Sequence, residues 1–172
     1  MSLARDLRRH HRTLDALEAA LDRFDEAAWT RGAADGGWCP AQVYRHLQIV
    51  AEQFAFKHLE TCLQGGGNPE GRMKFRGRLI FLLGRFPKGR RIKVEFPPDM
   101  VPEAVDKEAA RRILASLRAQ AEAFAARLPG ADPRQRAKHF LLGWLGPRDW
   151  FRFIEMHHRH HLEGQLRRLL ER

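Results

Sequence analysis

Cysteine is scarce. Cys39 and Cys62 are the only two in 172 residues, too few for a disulfide scaffold or a four-cysteine zinc site. No apolar run approaches the ~20 residues of a membrane span. The opening Met1-Ser2-Leu3-Ala4-Arg5-Asp6 enters a charged amphipathic pattern rather than the apolar region of a signal peptide. A strand series, a repeat of roughly 20–50 residues and low-complexity tracts are also missing. These absences lead us to expect a reducing, cytoplasmic setting and no membrane partner.

What is present suffices for a folded core. Hydrophobic residues are 44% and charged residues 30% of the chain, a globular balance rather than a disordered one. A chain of this length buries roughly 70% of its unfolded surface, so folding needs no disulfide or structural metal. We read residues 1–172 as one domain. Lys+Arg outnumber Asp+Glu by 31 to 21, giving +10. That excess suits a nucleic acid or an acidic lipid, or else arginine-rich helix faces in solvent. The second reading is preferred, because basic residues run the length of the chain with acids interleaved in most helices. The densest run, Arg85 to Lys93, falls in an apparent loop.

Four long helices follow from the periodicity. Leu3, Leu7, Leu14, Leu17, Leu21 and Phe24 form a stripe over 3–24, with Ser2 placed as N-cap. Pro40 opens a second helix that reaches about Gln64, where Gly65-Gly66-Gly67-Asn68-Pro69 stops it. Asp106 caps a third, Lys107 to Leu128, ended by Pro129-Gly130. The last runs from Pro147 or Arg148 to Leu170. Residues 70–104 are irregular: a helical turn or two at Leu79–Leu83, an extended piece at Ile92–Phe96, and prolines beyond. The glycine-broken apolar segment His139–Pro147 reads as a connector or short helix. The fold class is therefore all-α, a four-helix bundle with a long irregular connection between helices two and three.

Nine histidines are many for this length. At ~100° per residue, His157 and His161 lie within about 20° of Trp150, inside the apolar stripe of the last helix. His158 and His160 fall on its flanks. Two imidazoles one turn apart on one face can ligate a single metal ion. On the second helix His46 shares the buried face with Val43 and Val50. If helices two and four meet, His46, His157 and His161 form a cluster of three, and three imidazoles with an open fourth position suit catalytic zinc. Nickel, manganese or iron can use the same ligands. The alternative is that each histidine is a core residue satisfied by hydrogen bonds. The others are expected at the surface, except His139 in its apolar segment. Cys39, at a helix start, is expected to be a packed free thiol. Glu155 points away from the cluster, and Gln165 can reach His161 from outside it.

Two segments resemble the DinB superfamily, which includes the YfiT-like proteins. Trp38-Cys39-Pro40-Ala41-Gln42-Val43-Tyr44-Arg45-His46-Leu47 looks like that family's helix-two opening. Trp150-Phe151-Arg152-Phe153-Ile154-Glu155-Met156-His157-His158-Arg159-His160-His161-Leu162 resembles its C-terminal motif, and Phe140-Leu141-Leu142-Gly143-Trp144-Leu145 its preceding connector. The resemblance implies a four-helix bundle with a divalent metal on three histidines, here His46, His157 and His161. It implies hydrolases, or transferases and isomerases using low-molecular-weight thiols, and frequent homodimers. Two departures stand out. Gln165 lies four residues after His161 where the family usually spaces three, and Phe140 follows His139 where the family often has proline.

Three functional readings follow: a metal-dependent enzyme acting on a small molecule, a non-catalytic metal-binding or stress-response module, and a basic nucleic-acid-associated helical protein. For the first, Trp38, Trp144, Trp150 and part of 84–104 are the expected pocket walls. Leu79–Leu83, if exposed, is the expected contact of a homodimer.

Overall fold

The computed structural model describes residues 2–32, 36–87 and 101–171. The first long helix, α1, is Leu3–Asp22. Ser2 stands at its N-cap position, but its side chain makes no capping hydrogen bond. A short α2, Glu26–Thr30, starts where Asp25 Oδ1 accepts the Ala28 N–H. The second bundle helix is α3, Pro40–Ile49, running through a π turn at Val50–Ala55 into α4, Phe56–Leu63. Helix α5 is Phe75–Leu83, ended by Gly84. The third bundle helix, α6, is Lys107–Arg127, with Asp106 Oδ1 accepting from Ala109. The last is α7, Pro147–His161, then a π turn at Leu162–Leu166 and α8, Arg167–Leu170. All four long helices lie where the periodicity places them. The extended piece expected at Ile92–Phe96 lies outside the described residues.

The order of the helices around the bundle brings the second and fourth together. α1 packs against α6 and α7, while α3 and α4 pack against α6 and α7. The first helix therefore neighbours the third rather than the second. Tyr44 of α3 crosses the core instead, its hydroxyl donating to the Leu17 carbonyl at 2.5 Å. Leu14, Leu17, Tyr44, Leu47, Leu117, Trp150 and Phe151 make the fully buried centre.

One connector departs from the all-helical expectation. Ala137–His139 (β1) and Gly143–Leu145 (β2) form an antiparallel hairpin, with Ala137 opposite Leu145. Gly143 makes it fit: its φ is +85°, and a Cβ there would lie 2.7 Å from the Lys74 nitrogen and 2.8 Å from the Arg72 carbonyl oxygen. Those atoms are backbone and cannot yield cheaply. Gly143→Ala is expected to cost about 3 kcal/mol from strain and overlap combined. Gly65→Ala, at φ +76° with nothing within 4 Å, is expected to cost about 1 kcal/mol. Urea unfolding of the pair separates the two terms.

A buried polar seam joins α1 to α7. Asp6 Oδ2 accepts from Arg148 at 2.8 Å, His10 Nε2 donates to the Phe151 carbonyl at 2.9 Å, and Thr13 Oγ1 donates to Glu155 Oε1 at 3.1 Å. His10 and His158, both expected at the surface, are 1% and 2% exposed. His10 is inside because α1 lies directly on α7, so the polar edge of the α1 stripe is covered as well.

Candidate metal centre

Adjacency of the second and last helices brings three imidazoles to one point. His46, two turns into α3, is 3% exposed; His157 and His161, one turn apart on α7, are half-buried. His46 Nε2 and His157 Nε2 are 3.2 Å apart. One nitrogen from each of the three rings lies within 4.8 Å of the others. Two nitrogens held tetrahedrally at ~2.0–2.1 Å from one ion stand roughly 3.3 Å apart, so the closest pair is already at ligand spacing. No other group of three or more such side chains converges among the described residues.

The protonation states suit the same use. Burial pushes His46 down to about 2, with His161 and His158 adding to the effect. Burial also holds His157 well below 6.5 and His161 at about 4. All three rings are neutral at pH 7, with a lone pair to give.

Gln165 fixes which lone pair His161 offers. Its Nε2 donates to the Trp38 carbonyl at 3.3 Å, and its Oε1 lies 3.2 Å from His161 Nδ1. The carbonyl demands an amide N–H, so the amide oxygen must face the ring. His161 Nδ1 therefore carries the proton and Nε2 is left as the donor atom. The π turn at Leu162–Leu166 packs more residues into one turn. It brings a residue four positions on back into line with His161, which accounts for the spacing departure seen in the sequence.

The walls are partly as expected. The Trp38 ring lies 4.6 Å from that of His46, and Phe153 stacks on His157 at 5.9 Å. Phe86 meets Phe153 at 5.9 Å and His160 at 5.6 Å. Trp150 sits one layer further in, stacked on His58 at 4.7 Å and His139 at 5.6 Å. Trp144 does not join them; it closes over Gly71, where a Cβ would meet its ring at 2.4 Å. Of the 84–104 excursion, 88–100 lie outside the described residues. Cys39 is buried in the core, as a packed thiol should be. Glu155 faces α1, holding Thr13 and Arg159.

A sequence model described as the DinB superfamily matches residues 9–164. The chain belongs to the DinB superfamily. A solved structure described as TT2238, a four-helix bundle protein, matches this DinB chain with a TM-score of 0.54 at 20% identity, covering 94% of this chain and 96% of that one. At that identity the likeness shows the fold. A comparison with curated proteins finds no match. The histidine cluster thus sits in a DinB-superfamily four-helix bundle.

Reading the sequence alone misses the burial of His158, which neighbours this cluster and hydrogen-bonds to the Leu47 backbone. Its position on the flank of the stripe is a weak sign that α3 covers it.

Proposed function

We propose that this chain is a metal-dependent enzyme whose divalent cation, zinc or nickel before manganese or iron, sits on His46, His157 and His161 and serves a small-molecule substrate. The convergence of three neutral imidazoles carries the reading. An ion with an open position makes a nucleophile of water or a thiol at neutral pH. The chain's own residues fix the setting. His46 forms the floor, the two half-buried rings of α7 leave an approach from solvent, and Gln165 holds His161 in one tautomer. Trp38, Phe153 and Phe86 supply apolar walls.

The acids of α7 favour a thiol over water. Asp149 Oδ2 accepts the Gly146 N–H at 3.3 Å, and Glu155 is held by Thr13 and Arg159. Neither is available as a general base; on the ion a thiol would give up its proton to bulk water outright, whereas bound water would be only about half ionised near pH 7. The reading is therefore thiol transfer to an electrophilic small molecule, with hydrolysis second. Untagged, metal-loaded protein is assayed on an electrophilic aromatic acceptor with and without added thiol, and on an activated ester. Metal-dependent turnover that needs thiol supports the reading. Full metal loading without turnover on any of these supports the non-catalytic module.

Gln165→Leu keeps the size but loses both hydrogen bonds. It is expected to weaken metal binding tenfold to a hundredfold, measured by chelator competition. Unchanged affinity would remove Gln165 from the site.

A further inference from the structure

Charge in this chain is far less even than it first reads. From Gly71 to Val94 there are nine Lys and Arg and no Asp or Glu, which leaves +1 for the other 148 residues. Helix α5 lies inside that stretch. Its inner face is anchored: Phe81 is 6% exposed, and Arg152 of α7 donates to the Phe81 carbonyl at 2.9 Å while its guanidinium lies over the Phe81 ring. Its outer face is apolar. Phe75 is 79% exposed, Leu82 81%, Leu83 57% and Leu79 46%.

On a wheel of ~100° per residue, Phe75, Leu79, Leu82 and Leu83 fill an outward arc about 100° wide. Arg78 and Arg76 border it on either side. Arg72, Lys74, Arg76, Arg78 and Arg85 are all exposed. Among the described residues none of them forms an ion pair with an acidic side chain. A cavity of about 480 Å³ opens beside Leu83 at the C-terminal end of α5. Arg9, Arg12, Arg85 and Arg159 line it, with Glu155 and Glu163.

We propose that α5 is a membrane-contact helix: it lies on an anionic lipid surface, with Phe75, Leu79 and Leu82 in the acyl boundary and the flanking arginines on the headgroups. Apolar side chains bordered by cations are the pattern of an interfacial helix, and basic residues near an anionic leaflet each add attraction. A nucleic acid would meet the arginines but leave the apolar arc facing phosphate. A second copy of the chain across the same helix would set one arginine border against another, over a helix only ~13 Å long. The charge complementarity favours lipid over both. No helix of the described residues is long and apolar enough to cross a membrane, and the absence of a span says nothing about a helix lying flat.

The test is flotation of the full chain with phosphatidylcholine vesicles and with vesicles containing phosphatidylglycerol. Binding is expected only to the second, and it should weaken as salt is raised. Arg76→Gln/Arg78→Gln should lower the affinity roughly thirtyfold. Phe75→Ser/Leu82→Ser should lower it roughly a hundredfold. Both pairs are exposed, so thermal midpoints should stay near the parent's, and circular dichroism checks this. The proposal is overturned by equal binding to neutral vesicles, by binding retained in both variants, or by self-association without lipid that Phe75→Ser/Leu82→Ser abolishes. Salt-dependent DNA retention without vesicle binding would also overturn it, in favour of a nucleic acid.

Discussion

Replacing His157 and His161 together by alanine is expected to take untagged protein from about one divalent ion per chain to background, because a site of three protein ligands cannot hold an ion on one. His46 alone would remain, at the floor of the site. Both α7 rings are half-buried, so their loss should spare the fold, and circular dichroism checks that. His160→Ala is the matched control: its ring meets Phe86 and sits on the flank of the stripe, so metal content should hold. Metal retained at full stoichiometry in the double variant would contradict the ligand assignment.

Acid should unfold this protein early. His10 and His139 are 1% and 4% exposed, and burial lowers each to about 4. For His139 the geometry adds a second reason. Its Nδ1 accepts the N–H groups of Leu141 and Leu142 at 3.1 and 3.4 Å, so a proton arriving there meets two donors and uncaps the hairpin turn. The unfolded chain takes up protons near 6.5; the folded chain resists until about 4. The stability held by these two rings is therefore full above about pH 6.5, falls as the pH drops towards 4, and levels off below. Each histidine contributes about 3 kcal/mol to that loss. Together this is on the order of a small protein's entire 5–15 kcal/mol stability. His139→Asn keeps an acceptor for the turn and His10→Gln keeps a donor for the Phe151 carbonyl. Each should remove its own share of the fall, about 3 kcal/mol, while the other lowered rings (His46, His157, His158 and His161) keep theirs, measured by urea unfolding across the range. A slope unchanged in both would place the acid sensitivity elsewhere.

The two predictions draw on different parts of what the sequence discloses. Helix positions are legible because they are local. Pro40, Asp106 and the glycines after Gln64 fix ends that the structure reproduces within a residue or so, and the stripe of α7 places His157 and His161 on one face. The meeting of His46 with that face is not local. It depends on the first helix lying beside the third, which no single helix's pattern encodes, and only the family motifs point to it. The burial of His10 and His158 is hidden from the sequence for the same reason, since their cover comes from other helices. The hairpin escaped because strands of three residues are too short to display a period, and its deciding residue, Gly143, reads in sequence as a breaker rather than as a close approach to the backbone at Lys74. Gln165 shows the converse. The extra residue before it looks like a departure in the linear sequence, and a π turn absorbs it.

The most direct test of the account is a crystal structure of untagged protein with anomalous data on both sides of the zinc and nickel edges. A single peak bonded to the Nε2 atoms of His46, His157 and His161, with Gln165 still on His161 Nδ1, is the predicted result. No peak in protein grown with either metal, or one lying away from these three nitrogens, would contradict it.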